Sequence, residues 1–425
     1  MICDFFYPNF GGVENHIYYL SQGLASLGHR IIILTHTYTD RQGVRFLPNG
    51  VKVYHLPYAN MALQTTYPTL WFSLPLYYDI FVREGVQLVH GHSAFSAMCQ
   101  EGILHARTMG LPCVFTDHSL FGFADISSIL TNKLIKFSLS DVGRVICVSN
   151  TSKENTVLRA ALDPSNVHVI PNAIISDQFK PRDDPWLPES GNPITIVVLC
   201  RLVYRKGIDL LIDVIPAICQ KHPRVNFLIA GDGPKKVELE QMRELHRLHS
   251  RVKMIGAVPA ESVRSVLIQG QIFLNTSLTE AFCMAIVEAA ACGLYVVSTS
   301  VGGIPEVLPD HMISLAEPDA CDLINTLNRT IHDLSSGSID TSNFHSEVSA
   351  MYSWTDVTIR TDTLYRRLLT DSPEHCNTPL IERLRRVWGC GQIAGKFLCI
   401  TMVWNHFFYL FLRAFYPTIE PSFTS

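Results

Sequence analysis

The sequence predicts an α/β protein with two Rossmann-like domains that face each other across a cleft, followed by a hydrophobic transmembrane helix. Short apolar runs alternate with helix-period segments from residue 2 to about 170, and the alternation restarts at about 194. A nearly continuous apolar 20-mer at residues 393–412 is long enough to span a bilayer. The length of 425 residues exceeds one typical core and agrees with two domains.

The first domain is expected at residues 1–170. Ile2 to Phe6 predicts its first strand, and a loop that ends with Gly11 and Gly12 follows. Apolar residues at steps of three and four from Val13 to Leu27 predict an amphipathic helix that closes at Gly28. Short apolar runs predict six further buried strands: Ile31–Leu34, Val51–Leu56, Gln87–His90, Cys113–Thr116, Arg144–Val148 and Val167–Ile170.

A proline-rich linker is expected at residues 171–193, where apolar residues are few. The second domain is predicted to occupy residues 194–370 and to end in helices. Its predicted strands are Ile194–Leu199, Asn226–Ala230, Val252–Ile255, Ile272–Leu274 and Tyr295–Ser298. A basic juxtamembrane segment at 371–392 and a short tail at 413–425 are expected on either side of the apolar 20-mer.

The flanking charges of the 20-mer predict its orientation. Arg383, Arg385 and Arg386 precede the segment and Arg413 alone follows it, so the positive-inside rule places the large N-terminal part in the cytosol. Lys396 lies near enough to the end of the segment to snorkel. The alternative is a buried or interfacial helix packed on the second domain. The first residues lack the basic and long apolar regions of a signal peptide.

Composition excludes several classes of partner. A formal charge of −4 gives no global basic field, which argues against nucleic acid. The twelve cysteines are scattered singly, without the Cys-x-x-Cys or His/Cys spacing of a zinc site, and are expected to be reduced. No Asp-x-Asp metal motif stands in the loops that follow the predicted strands.

The segment from Asn275 to Ala290 places two carboxylates around a turn and the start of a helix. Glu280 is expected in the loop and Glu288 about one turn inside the helix, where carboxylates can accept hydrogen bonds from vicinal sugar hydroxyls. The backbone N–H groups from Phe282 to Ala285 are predicted to be available to phosphate oxygens. The alternative is a solvated carboxylate and an acid favoured by the helix dipole.

Three more loops of the second domain follow predicted strands. Arg201 and Lys206 follow its first strand, and two cations there suit a diphosphate. The loop from Ala230 to Pro234 is as consistent with a simple turn as with a ligand role. A third glycine loop, at residues 300–306, is a candidate to lie under the donor phosphates.

Candidate residues of the first domain also follow strands. Side chains at Gly11 and Gly12 would block the approach of a phosphate or sugar to the backbone. The pair is not a G-x-G-x-x-G dinucleotide fingerprint, and its absence disfavours a nicotinamide enzyme. His118 follows the strand Cys113–Thr116 and could hydrogen-bond a transferring sugar or serve a structural role. His90 and His92 are second candidates, either for acceptor contacts or for a polar loop.

Three runs of sequence resemble a known family: Phe115–Asp125, Leu202–Leu210 and Asn275–Ala290. The chain resembles the two-domain, retaining, nucleotide-sugar glycosyltransferases of the GT-B type that carry the glutamate-seven-glutamate motif. Within that family it resembles the catalytic subunits of phosphatidylinositol N-acetylglucosaminyltransferases. The resemblance covers residues 2 to about 370 and extends to the C-terminal apolar segment. Relatives usually carry residues before the first strand, whereas Met1 here directly precedes it.

The resemblance implies transfer of N-acetylglucosamine from its UDP donor to phosphatidylinositol, the first step of GPI-anchor assembly, in a multi-subunit complex of the endoplasmic reticulum membrane. It implies that Arg201 and Lys206 neutralise the diphosphate and that Glu288 binds the ribose. Glu280 would contact the donor sugar near the reacting bond, and His118 would support the same sugar from the other domain. No metal or other cofactor is expected.

Three rival interpretations remain open at the level of sequence. A soluble glycosyltransferase of the same fold could act on another acceptor, and a sugar-nucleotide epimerase could share the fold and the glutamate. A non-catalytic assembly subunit could bind nucleotide sugar or partners. The presence of Arg201, Lys206, Glu280 and Glu288 together argues against the last interpretation, because a scaffold does not need all four.

Overall fold

The computed structural model describes residues 1–9, 11–38, 41–62, 64–69, 72–120, 126–184, 192–371 and 378–416. The chain divides into a first unit, Met1–Pro171 with Thr355–Ser425, and a second unit, Asn172–Trp354. Two boundaries therefore differ from the expected ones. From Asn172 on, the described part of the 171–193 segment groups with the second unit, and residues 355–371 group with the first.

The first unit is built on strands that are mostly parallel. Strands β1 (Ile32–His36), β2 (Gly43–Phe46) and β3 (Lys52–Leu56) pair in the order β1-β3-β2, with β2 antiparallel at the edge. A small hairpin joins β4 (Asn60–Ala62) to β5 (Thr65–Thr66). Strands β6 (Val89–His92), β7 (Cys113–Asp117), β8 (Arg144–Cys147) and β9 (Val167–Val169) pair in chain order, all parallel.

The predicted strand at Ile2–Phe6 is wrong. Only Ile2 pairs, through single parallel bridges to Leu34 and Gly91, and so it links the β1 edge to the β6 edge. The chain leaves the strand direction at Asp4, because the Asp4 carboxylate is buried and needs hydrogen-bond partners. The Thr66 hydroxyl donates to it at 2.7 Å and the Met98 N–H at 3.3 Å.

Five helices of the first unit cover these strands: α1 (Gly12–Ser26), α2 (Leu74–Arg83), α3 (Ala97–Thr108), α4 (Ile126–Leu139) and α5 (Asn150–Ala160). The predicted first helix is confirmed, and it ends before Gly28, whose φ of +90° suits glycine. The apolar face of α1 buries Ile17, Leu20 and Leu24.

The second unit is a six-stranded parallel sheet. Its strands are β10 (Ile194–Leu199), β11 (Val225–Ala230), β12 (Val252–Gly256), β13 (Ile272–Asn275), β14 (Tyr295–Thr299) and β15 (Ile313–Ala316), in the order β12-β11-β10-β13-β14-β15. Helices α6 (Ile208–Lys221), α7 (Lys236–Leu245), α8 (Val263–Leu267), α9 (Met284–Ala291), α10 (Ala320–Ser335) and α11 (Phe344–Met351) connect and flank them. The strand order reverses between β10 and β13, and open α/β sheets bind ligands at such a switch point.

Helix α12 (Trp354–Asp371) returns the chain to the first unit. The carboxylate of Asp362 lies 2.6 Å from the His29 ring, and the Tyr365 hydroxyl lies 2.5 Å from His90 Nδ1. Residues 355–371 therefore complete the first unit. The sequence had suggested instead that they end the second domain.

Two more helices, α13 (Leu380–Trp388) and α14 (Ala394–Phe415), also pack on the first unit. Helix α14 is long and apolar enough to cross a membrane. One face packs on α2, α3 and α4, where Met402 and Leu412 are buried and Asn405 donates a 2.7 Å hydrogen bond to the Thr108 hydroxyl. The other face exposes large apolar side chains at Phe397, Ile400, Trp404, Phe407 and Phe411.

Candidate active site

The loops after β10 and β13 are joined at the switch point of the second unit. Leu278 N–H donates to the Arg205 carbonyl at 2.9 Å, and the Thr276 hydroxyl donates to the Lys206 carbonyl at 2.9 Å. Gly207 makes this approach possible, since its φ is +65° and a Cβ there would lie 1.8 Å from the Thr276 carbonyl oxygen. The geometry therefore fixes Lys206 against the loop that carries Glu280.

Lys206 and Glu280 form an ion pair between these two loops. The Ser277 hydroxyl lies 2.9 Å from the same Glu280 carboxylate oxygen, and Gly303 N–H donates to the Glu280 carbonyl at 2.9 Å. The glycine loop after β14 thus supports the backbone of Glu280. Both side chains of the pair remain partly accessible, at 23% for Lys206 and 15% for Glu280.

The charge state of this pair is set by its neighbours. Burial alone would lower the pKa of Lys206, but anionic charge at Cys283 or Glu280 and the Glu280 hydrogen bond raise it. Burial raises the pKa of the Cys283 thiol to about 12, so that thiol is neutral near pH 7. Glu280 is therefore the group that keeps Lys206 charged.

Glu288 is the fifth residue of α9, about one turn inside the helix, as the sequence predicted. Burial raises the pKa of its carboxyl to about 7. The residue is half-buried, and no hydrogen bond or ion pair to its carboxylate occurs among the described residues. An unpartnered carboxylate at this place can accept hydrogen bonds from a ligand.

The start of α9 is locally strained. Cys283 precedes the helix with φ +74°, a left-handed conformation that is unusual for a residue with a side chain. Phe282 is buried, and its ring packs edge-on against Tyr352 with centroids 5.4 Å apart. The Phe282 ring therefore belongs to the core, and any donor contact of this residue is confined to its backbone.

Arg201 is exposed and makes no ion pair within the described part of the chain. It lies two residues after the end of β10 and three residues before the 3₁₀ turn Tyr204–Lys206. The neighbouring loop after β11 has a structural explanation: a Cβ at Gly231 would lie 1.8 Å from the Cys200 carbonyl oxygen, and one at Gly233 2.4 Å from that of Leu202. These two glycines permit close packing under the segment that carries Arg201.

Gly11 and Gly12 begin α1 in the first unit. Gly11 has extended backbone with φ −171°, and its carbonyl accepts the Asn15 N–H at 3.0 Å. A Cβ at Gly12 would meet nothing within 4 Å, so the space above the start of α1 is open. Neither position requires glycine for its backbone conformation, and their predicted contact with the donor stays a prediction.

His118 stands in a turn that is held by the residue before it. The buried Asp117 carboxylate accepts the Ser119 N–H at 3.0 Å and the Thr156 hydroxyl at 3.0 Å, and Arg159 lies 3.6 Å away. Burial, opposed by the charge of Arg159, raises the pKa of Asp117. Burial also lowers the pKa of His118 well below its usual value, so the ring is neutral at physiological pH.

His90 and His92 lie inside β6 and not in a loop after a strand, which corrects the sequence-based placement. Both are buried. His90 uses both ring nitrogens internally, at 2.5 Å from the Tyr365 hydroxyl and 2.7 Å from the Thr116 hydroxyl. This pairing explains why a polar residue is tolerated in a buried strand, and it removes His90 as a candidate for acceptor contacts.

Sequence reasoning missed three residues of these sites: His16, Asp117 and Ser277. Ser277 and Asp117 lie beside predicted residues, in the same short runs, and were not assigned a role. His16 lies on the helical face next to Ile17 and Leu20, where its spacing alone looks like core packing.

The sequence matches two family models, Glycosyl transferases group 1 over residues 180–337 and PIGA (GPI anchor biosynthesis) over residues 36–125. A phosphatidylinositol N-acetylglucosaminyltransferase subunit from Arabidopsis thaliana is 52% identical over 98% of this chain and 91% of its own length. The equivalent human protein, from Homo sapiens, is 54% identical over 98% of this chain and 85% of its own. The chain belongs to this family of transferase subunits. It is therefore a glycosyltransferase of GPI-anchor biosynthesis.

Solved glycosyltransferases share the fold of this family member. Sucrose-phosphate synthase from Thermosynechococcus elongatus superposes with a TM-score of 0.69 at 22% identity, over 85% of this chain and 94% of that one. Alr3699/HepE of Anabaena, in complex with UDP-glucose, superposes with a TM-score of 0.65 at 19% identity, over 85% and 98% of the chains. The expected fold class, with a C-terminal apolar helix, is confirmed.

Proposed function

We propose that this protein transfers N-acetylglucosamine from UDP-N-acetylglucosamine to phosphatidylinositol, with retention of configuration, as the first step of GPI-anchor assembly. The names of the plant and human relatives support the donor sugar and the acceptor. In the reaction the bond between the anomeric carbon and the UDP phosphate breaks, and a bond to an inositol oxygen forms. The departing diphosphate gains negative charge, and a proton leaves the inositol hydroxyl.

The observation that carries this proposal is the junction of three loops at the switch point of the second unit. The loops after β10, β13 and β14 hold Lys206, Glu280 and the start of α9 together by backbone and side-chain hydrogen bonds. The site therefore offers a cation, a carboxylate and a helix N-terminus in one place, and a nucleoside diphosphate sugar has complementary groups.

The Lys206–Glu280 pair suggests how the donor is received. A diphosphate that approaches Lys206 competes with Glu280 for the ammonium group, and Glu280 then becomes available to the sugar. Arg201 is exposed and free to add its guanidinium to the phosphates. These cations and the backbone N–H groups of α9 would neutralise the leaving group without a resident metal.

Glu288 is proposed to accept hydrogen bonds from the ribose hydroxyls, because it lies about one turn inside α9 and its carboxylate has no partner among the described residues. His118 is proposed to hydrogen-bond the donor sugar as a neutral imidazole. Gly11, Gly12 and the backbone of Phe282 are proposed to contact the donor phosphates or sugar, because the two glycines carry no side chain that would block a ligand and because Phe282 lies just before the start of α9.

We further propose that α14 attaches the protein to the endoplasmic reticulum membrane by a single span, with both units in the cytosol and with other membrane subunits as partners. In that arrangement α14 leaves its contacts with α2, α3 and α4. Support comes from the length and the exposed apolar face of α14, and from the naming of the relatives as transferase subunits. Protease treatment of intact microsomes tests the orientation. A C-terminal tag is protected if α14 spans the bilayer, and it is cleaved if α14 remains along the first unit on the cytosolic side.

The reaction is tested by product analysis in microsomes that lack the activity and receive this chain. Labelled UDP-N-acetylglucosamine should yield a lipid-extractable product that phosphatidylinositol-specific phospholipase C cleaves. A labelled lipid that resists this enzyme would point to another acceptor, and a labelled epimer of the donor without any lipid product would point to an epimerase. Either of the last two results would overturn the proposal.

A further inference from the structure

Three histidines of the first unit converge, and the proposed transfer uses only one of them. His16 lies on α1, His92 at the end of β6 and His118 in the turn after β7. Each offers one ring nitrogen, and these three nitrogens lie within 4.8 Å of one another. His16 and His92 are buried and His118 is half-buried, so the cluster is accessible from the His118 side.

The spacing of the rings is close to that of a transition-metal site. His92 Nδ1 lies 3.4 Å from His118 Nε2. A tetrahedral Zn²⁺ with metal–nitrogen bonds of about 2.0–2.1 Å places its ligand nitrogens about 3.4 Å apart. The His16 ring lies 4.7 Å from the His118 ring, centroid to centroid, and its ligand nitrogen lies within 4.8 Å of the other two.

A purely structural account of His92 is incomplete. The residue is fully buried, yet its Nε2 has no hydrogen-bond partner among the described residues. Its neighbour His90 shows how this fold satisfies a structural histidine, because both nitrogens of His90 have hydroxyl partners. An unsatisfied buried nitrogen costs about 1–3 kcal/mol, so hydrogen bonding within the fold does not account for a histidine at this position.

We propose that His16, His92 and His118 form a binding site for a divalent transition metal of the Zn²⁺ type, with the fourth coordination position open beside His118. Imidazole ligands on a rigid scaffold suit Zn²⁺, and three protein ligands with one open position are typical of an exchangeable site. His90 supports the site from behind, since its ring packs 4.0 Å from that of His92. The site lies in the first unit and does not replace Lys206 at the donor diphosphate.

Metal binding would have a consequence for the reaction. A metal that holds the His118 ring nitrogen withdraws it from any substrate, so added Zn²⁺ should lower transfer. This consequence rests on the proposed role of His118 in the function above, whereas metal binding itself does not.

The test uses the purified full chain in detergent and Co²⁺ as a spectroscopic probe. We expect visible absorption of four-coordinate Co²⁺ that saturates at one ion per chain and that Zn²⁺ abolishes. His16→Asn and, separately, His118→Asn should each weaken Co²⁺ binding by at least about 100-fold, because each removes one of three ligands. His332→Asn, at an exposed histidine of the second unit, is the matched control and should bind as the parent does.

The proposal fails if the parent shows no four-coordinate spectrum, or if His16→Asn and His118→Asn both bind Co²⁺ as tightly as the parent. Thermal unfolding without metal checks that each variant is folded. If Co²⁺ binds as expected but Zn²⁺ leaves transfer unchanged, the metal site stands and the proposed role of His118 in the reaction fails.

Discussion

The Lys206–Glu280 ion pair gives each member a separate role that substitution can resolve. Glu280→Gln removes the anion that competes for Lys206, so the affinity for UDP should stay the same or increase. Transfer should fall by about 100–1,000-fold, as when one group that stabilises a transition state is lost. Calorimetric UDP titration, combined with steady-state transfer assays, measures both quantities. Weaker UDP binding in this variant would contradict the competition.

Lys206→Ala should act on the nucleotide. Loss of a charge-assisted hydrogen bond to the diphosphate costs about 1.5–3 kcal/mol, which weakens UDP binding by about 10–150-fold. Lys236→Ala is the control, because Lys236 lies at the start of α7 and pairs only at 3.9 Å with Asp232. Equal UDP affinity in both variants would remove Lys206 from the donor site.

The raised pKa of the Glu288 carboxyl predicts that donor binding depends on pH. Its folded-state pKa of about 7 lies above the ordinary value of 4.5, so the carboxyl is mostly protonated below pH 7 and mostly charged above it. If the carboxylate accepts the ribose hydroxyls, UDP affinity should rise with pH through this range. Glu288→Gln should flatten the profile between pH 6 and pH 8, which UDP titration at several pH values would show. An unchanged profile would contradict the ribose role.

The residues that the sequence could identify are those with unusual chemistry for their place. Two cations at Arg201 and Lys206 oppose the helix dipole, and the two glutamates flank a helix start, so both patterns indicated a site. His16 could not be identified, because its spacing along α1 fits a core position and only the fold brings it to His92 and His118. The internal pairing of His90 was equally invisible, since Tyr365 is 275 residues away in sequence.

At the scale of elements, Gly207 joins the loops after β10 and β13. Gly207→Ala places a Cβ at 1.8 Å from the Thr276 carbonyl oxygen, in a left-handed conformation, so the loops must separate. Gly256→Ala is a matched control with φ +77° and open space around the new Cβ. The control should cost about 1–2 kcal/mol of unfolding free energy, and Gly207→Ala should cost more and should also weaken UDP binding. Denaturant unfolding measures the difference, and equal costs would contradict this account of the junction.

The elements themselves were predictable where apolar runs were continuous. β10 matches the predicted Ile194–Leu199, because a buried parallel strand is apolar along its whole length. β2 was missed because all four of its residues are exposed, and β15 because half of its residues are only partly buried. Ile2–Phe6 was predicted as a strand because four of its five residues are apolar, and the hydrogen-bond needs of the fifth, buried Asp4, overrode that tendency.

At the scale of the whole molecule, a buried ionic cluster attaches the C-terminal helices to the first unit. The Asp141 carboxylate accepts Arg383 Nε at 2.5 Å and lies 3.4 Å from Arg107. Asp141→Asn leaves two buried guanidinium groups without their counter-ion and should cost about 3–5 kcal/mol. Glu382→Gln, in an exposed pair with Arg386, should cost no more than about 0.5 kcal/mol. Denaturant unfolding of the full chain in detergent compares the two, and similar costs would contradict the attachment.

The central claim is that this chain carries the transfer reaction at the Lys206–Glu280 junction. The most direct measurement is the transfer of labelled N-acetylglucosamine from UDP to phosphatidylinositol by microsomes that lack the activity and express the parent chain, Glu280→Gln, or the exposed control Glu244→Gln. The parent and the control should restore the product equally, and Glu280→Gln should restore about 1% or less at the same membrane level. Full product from Glu280→Gln would show that the reaction is carried elsewhere.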